Sequence, residues 1–216
     1  MKWFPGLAMF LVSATPACAQ EANDRFFIRG GPAFATFDAT AKVEVAHQAV
    51  AGADASVSNN TGFAFEAGWF VRPNWSVSLT VGIPPTARIH GAGTLSGAGL
   101  LGSARYGPSA LGLQYNLPTQ GKFRPYIGGG YNYTLVYHVR GSAIRNLTVS
   151  DGNGPVVQAG FEYRVTRRAA VFFDVKKIWV AVDANGLTDT ASGPLPAHAR
   201  VALDPVIASA GVSFHF

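Results

Sequence analysis

The chain has 216 residues, of which 48% are hydrophobic and only 13% charged, about half the charged share of an ordinary soluble domain. No stretch of about 20 apolar residues, the length of a membrane-spanning helix, follows the N-terminus; the candidate VFFDVKKIWVAV is broken by Asp174, Lys176 and Lys177. The formal charge of +5 and a pI of about 9.6 come from scattered residues without a basic run or basic–aromatic patch, which argues against nucleic acid as a partner.

In chain order, the first element is a processing signal. Lys2 is its positive start, Gly6–Ala14 its apolar core, and Ala17-Cys18-Ala19 a small-residue cleavage site before Gln20. Residues 1–19 are therefore read as a cleaved signal peptide and 20–216 as the mature protein. A lipid-anchored Cys18 is disfavoured because Thr15-Pro16-Ala17 lacks the usual Leu three positions upstream. Cleavage takes the charge to +4 (+5 less Lys2) and removes the sole cysteine, so the mature protein has no disulfide.

Period-two alternation then marks eight strands: Arg25–Asp38, Gly62–Val71, Trp75–Ile83, Ala104–Leu117, Phe123–His138, Pro155–Thr166, Ala169–Asp183 and Arg200–Phe216. The clearest, the third, sets Trp75, Val77, Leu79, Val81 and Ile83 against Ser76, Ser78, Thr80 and Gly82. Connections alternate in length. Arg72-Pro73-Asn74, Pro118–Lys122 and Arg167-Arg168 are short; 39–60, 84–103, 139–154 and 184–199 are long. Even strand number, short turns at one end and long loops at the other describe a transmembrane β-barrel of the bacterial outer membrane. A soluble barrel shares the alternation with its faces exchanged, so periodicity alone does not decide. The signal peptide, the aromatic strand ends and the terminal Phe216 do. Several strands reach about 14 residues, beyond the 9–11 that a tilted spanning strand needs, so the barrel is expected to rise above the membrane on its loop side.

An eight-stranded barrel is just wide enough for its own side chains to fill it, which excludes a wide aqueous pore. The face opposite the lipid carries Arg29, Glu66, Arg124, Glu162, Arg164, Asp174 and Lys176. These are expected to pair across the lumen, as a gate or plug or simply as stabilising ion pairs. His47, His90, His138 and His198 fall near the four long loops, but their spacing fits no metal motif. No local pattern joins a nucleophile, a base and an orienting acid, so no enzyme, no metal and no cofactor is expected. Gly128-Gly129-Gly130 has no helix after it and reads as a packing device, not a phosphate loop.

Four stretches resemble the OmpW family of eight-stranded outer-membrane proteins: FFIRGG (26–31), NNTGFAFEAGW (59–69), KFRPYIGGGYNYT (122–134) and ALDPVIASAGVSFHF (202–216). The resemblance runs over essentially the whole mature chain. It implies a narrow channel for small hydrophobic molecules, with an apolar lumen reached from outside and a polar plug toward the periplasm. It also implies that Ser209, Gly211, Phe214 and Phe216 form the C-terminal signal read by the outer-membrane insertion machinery. Expected partners are outer-membrane lipid and lipopolysaccharide, that machinery, and a small hydrophobic ligand. The alternative is a structural or receptor barrel whose Ala/Gly/Ser-rich loops bind a partner without transport.

Overall fold

A computed structural model describes residues 25–191 and 193–216; the proposed signal peptide lies outside the described residues. In chain order its strands are β1 (Phe26–Thr36), β2 (Thr40–Val45), β3 (Gln48–Ala49), β4 (Ala53–Val57), β5 (Asn60–Arg72), β6 (Trp75–Gly82), β7 (Thr86–Gly93) and β8 (Leu100–Asn116). They continue with β9 (Phe123–Gly141), β10 (Arg145–Val149), β11 (Gly152–Arg164), β12 (Ala169–Ile178), β13 (Ala181–Thr190), β14 (Gly193–Ala202) and β15 (Val206–His215). Eight of these, β1, β5, β6, β8, β9, β11, β12 and β15, form an antiparallel cylinder in which each pairs with the next. The last returns to the first through a register from Phe27↔His215 to Thr36↔Val206. Closure leaves no wall strand with an unpaired edge, which a lipid environment demands.

In the lower wall the alternation separates two solvents. Leu79, Leu111, Ile127 and Tyr131 point outward and stay half-exposed, as a lipid-facing surface must. Ser76, Ser78, Gln114 and Asn132 on the same strands are buried inside. At the short-turn end, Phe26 stacks on Trp69 (6.2 Å), and Trp75 meets Tyr115 (4.9 Å), as members of an interfacial aromatic girdle. Two close approaches require glycine. A Cβ on Gly68 would lie 2.2 Å from the Phe27 ring, and one on Gly31 would lie 1.9 Å from the Ala210 carbonyl oxygen.

Above this cylinder the long connections of the sequence reading are themselves largely strands. β2 pairs β14, β14 pairs β13 from Ala181↔Ala202 to Thr190↔Gly193, β4 pairs β7, and β10 pairs β13. These ladders prolong the wall outward. The seventh expected strand, to Asp183, is interrupted after Ile178 and resumes at Ala181; the eighth divides at Leu203-Asp204-Pro205 into β14 and β15. Asp204 sits in a left-handed conformation (φ 37°) and accepts a hydrogen bond from the Val180 N–H (3.2 Å). Its carbonyl accepts another from Lys177 Nζ, which accounts for a lysine where the alternation breaks.

Candidate functional site

The lower lumen is filled by a network whose charged members come from four wall strands, β1, β5, β11 and β12. Arg29 of β1 is 2% exposed, Glu66 of β5 is 4%, and Asp174 of β12 is 1%. Arg29 Nη2 donates to Glu66 Oε1 at 2.8 Å and lies 3.9 Å from Asp174 Oδ2; its Nη1 is 3.8 Å from Glu162 Oε1. Lys176 Nζ bridges Glu66 Oε2 (3.0 Å) and Asp174 Oδ1 (2.5 Å). Such charges are tolerable in a buried site only because each has several partners. The guanidinium also packs over three rings, with centroids at 4.4 Å (Tyr126), 5.2 Å (Phe27) and 5.5 Å (Phe172), so its flat faces are covered while Nη2 bonds Glu66.

Of the seven lumen residues read from the sequence, five meet here: Arg29, Glu66, Glu162, Asp174 and Lys176. Arg124 stands opposite Glu162 in the β9–β11 register, and Arg164 lies one inward position further toward the short turns; both are half-buried. Sequence reasoning missed the neutral members. Gln114 Nε2 donates to Glu66 and to Ser78 Oγ (2.7 Å), Thr80 Oγ1 to Glu66 Oε2 (3.0 Å), and the Tyr126 hydroxyl to Asp174 Oδ2 (2.9 Å). Their inward parity was legible, but nothing in a lone Gln or Tyr marks which carboxylate it will meet.

The structure also assembles a Ser, a His and an acid that no local motif joined. His215 Nε2 lies 2.8 Å from Glu162 Oε2 and 3.4 Å from Ser213 Oγ. Both contacts fall on the same ring nitrogen. A base that takes a hydroxyl proton on one nitrogen needs its orienting acid on the other, so this trio is a hydrogen-bonded packing unit, held between Phe27 and Phe70. Among the described residues, no group of three or more His, Cys, Asp or Glu is arranged to hold a metal.

Over the charged floor the upper lumen opens into a vestibule of different character. Val43, Val45, Ile89, Val136, Val149 and Val182 line it, and Tyr106, Thr134, Asn185, Thr188 and His198 are its few polar contributors. A second, narrower space runs from Arg29, Glu66 and Lys176 past Asn132 to Gly62, Gly82 and Pro108, reaching Phe63 and Ile83. Those last two side chains belong to the lipid-facing surface and are about half exposed. The wall ladder is thin at this level. The β6–β8 register ends at Val81↔Ser109, and β7–β8 begins only at Thr86↔Arg105. Between them, the Tyr106 N–H reaches the Pro85 carbonyl at 3.3 Å, and Pro108 has no N–H to give.

At the closing seam, Ser209 is buried, Gly211 faces the Gly30 backbone, and Phe214 and Phe216 point outward. Phe216 and Phe26 exchange both backbone hydrogen bonds, at 2.8 and 3.1 Å.

A closed antiparallel cylinder with an apolar exterior, an aromatic girdle and a charged interior defines an integral β-barrel of the bacterial outer membrane. The model of the OmpW family matches residues 22–216, and the chain belongs to that family. It is 37% identical over 203 residues (94% of this chain, 93% of the relative) to the dibenzothiophene metabolism operon protein PahQ of Pseudomonas aeruginosa. It is 30% identical over 168 residues (78% and 71%) to the outer membrane protein AlkL of Ectopseudomonas oleovorans. The AlkL structure in lipid bilayers superposes with a TM-score of 0.69 at 27% identity, covering 95% of this chain and 97% of that one. The crystal structure of OprG from Pseudomonas aeruginosa shares the fold, with a TM-score of 0.83 at 24% identity and coverage of 88% and 95%.

Proposed function

We propose that the barrel is a narrow channel that admits small hydrophobic molecules from the cell exterior into the outer membrane. The observation that carries this reading is an apolar vestibule, open above, that ends on a floor of mutually paired buried charges. An apolar solute gains by leaving water for such walls and loses by entering the ionic floor, whose groups would have to give up their partners. The floor, with Arg124 and Arg164 beneath it, thus acts as a plug toward the periplasm. The thin wall between Gly82 and Pro108 offers the lower-cost exit, sideways into lipid. A relative at 37% identity is named for an operon of dibenzothiophene metabolism, and dibenzothiophene is a flat, uncharged molecule of the class this vestibule suits. In the same reading, Ser209, Gly211, Phe214 and Phe216 serve as the signal by which the insertion machinery takes up the closing strand.

Uptake of dibenzothiophene by intact cells tests the proposal. Cells carrying the barrel are expected to take it up severalfold faster than cells lacking it, while the purified protein passes little ion current across a planar bilayer. Equal uptake by both cell types would overturn the channel reading.

A further inference from the structure

The outer surface of the wall carries a basic cluster that the channel reading does not use. On β7, Ala87 and Ile89 face the vestibule, so Arg88 between them points outward. On β8, Ala104 and Tyr106 face inward, so Arg105 points outward. The register Arg88↔Ser103↔Arg140 sets Arg88 and Arg140 on either side of β8 in one row, with Arg105 one outward position below Ser103. With strands about 4.8 Å apart and about 3.3 Å per residue, the three Cα atoms form a triangle about 10 Å wide and about 7 Å deep. Arginine stems are long enough to span that gap, so the three guanidinium groups can reach a single anion.

Four further observations point to the occupant. All three arginines are exposed, and none belongs to an ion pair among the described residues. Asp151, flanking β9, is taken up by the Val136 N–H (2.8 Å) and the Tyr133 hydroxyl (3.0 Å). By contrast, the β2–β14–β13 side aligns Lys42, Arg200 and Asp183 in one row, with Glu44 two positions along, so that side carries both signs. The last observation is height. Arg105 lies ten residues above the girdle residue Tyr115 on β8; at about 3.3 Å per residue and a tilt of about 40°, that is about 25 Å, the height of the apolar band. The cluster therefore sits where the outer leaflet's headgroups begin, directly above the lipid-facing Leu111, Tyr133 and Leu135.

We infer that Arg88, Arg105 and Arg140 form a binding site for a phosphate of lipopolysaccharide, whose acyl chains lie along the apolar wall beneath. Arginine is suited to this task because its planar fork pairs phosphate oxygens two at a time. The site rests on the outer-membrane location alone and stands whether or not the lumen conducts anything.

The test uses the refolded full barrel in detergent and native mass spectrometry. The probes are deep-rough lipopolysaccharide, the same lipid with its lipid A phosphates removed, and phosphatidylglycerol. The parent is expected to hold the phosphorylated lipid about tenfold more tightly than either of the others, the scale of charge-assisted hydrogen bonds. The triple variant R88S/R105S/R140S should lose that preference, R105S alone should lower it severalfold, and K42S/R200S should keep it. Retention of the preference by the triple variant or by R105S would overturn the site, as would an equal loss in K42S/R200S. Equal binding of phosphatidylglycerol by the parent would overturn the assignment to lipopolysaccharide.

Discussion

The charged floor and the apolar vestibule lie in one lumen, on one continuous wall, yet they obey opposite rules. In the lower barrel, β8 turns Leu111 and Leu113 outward and Gln114 inward; a few residues up the same strand, Arg105 is outward and Ala104 inward. The difference lies in the solvent outside. Lipid draws the apolar face of the lower wall outward, and the polar residues left within must satisfy one another. Where the wall clears the membrane, water takes the charged side chains and the apolar ones turn in. The vestibule is therefore a direct consequence of extending a membrane barrel into water.

Changes to each region should separate these rules. Glu66→Ala removes the carboxylate that joins Arg29, Lys176, Gln114 and Thr80, and urea unfolding in vesicles should show a loss of about 3–5 kcal/mol. A loss below about 1 kcal/mol would mean that the floor is wet and its charges independent. On the lipid side, Leu79→Arg should cost about 2–4 kcal/mol. Its inward neighbour Ser78→Ala, which gives up the Gln114 hydrogen bond, should cost about 1 kcal/mol. Equal costs would break the assignment of faces. The smallest effect on stability belongs to the vestibule: Ile89→Asp should change it by less than about 1 kcal/mol while abolishing the uptake advantage for dibenzothiophene. Undiminished uptake would sever the vestibule from transport.

The lower barrel was legible in the sequence because its two solvents differ so strongly. TrpSerValSerLeuThrVal (75–81) assigns faces, and hence register, almost by itself. The inward charges were legible for the same reason, since a charge opposite an apolar face has only the lumen to enter. The upper wall was harder to see. Thr40-Ala41-Lys42-Val43-Glu44-Val45 alternates as regularly as any spanning strand, but it is short, and the apolar residues of the upper wall as a whole belong on the inside. Read with the membrane rule, such segments pass for loops. The interruptions at Ile178 and Leu203 depend on how Asp204 caps Val180 and holds Lys177, a contact between segments that no local pattern specifies.

The seam between β1 and β15 joins Phe27 to His215 and Phe26 to Phe216, positions at opposite ends of the described chain. Nearly every intervening residue must be in place before those partners can meet, so the loop-closure entropy of almost the entire chain falls on one ladder. Such non-local pairing is the kind of contact that slows folding. Until the seam closes, two strand edges expose bare N–H and C=O groups that lipid cannot satisfy. The feature that makes the finished barrel stable also makes its half-built form the most vulnerable stage of its life.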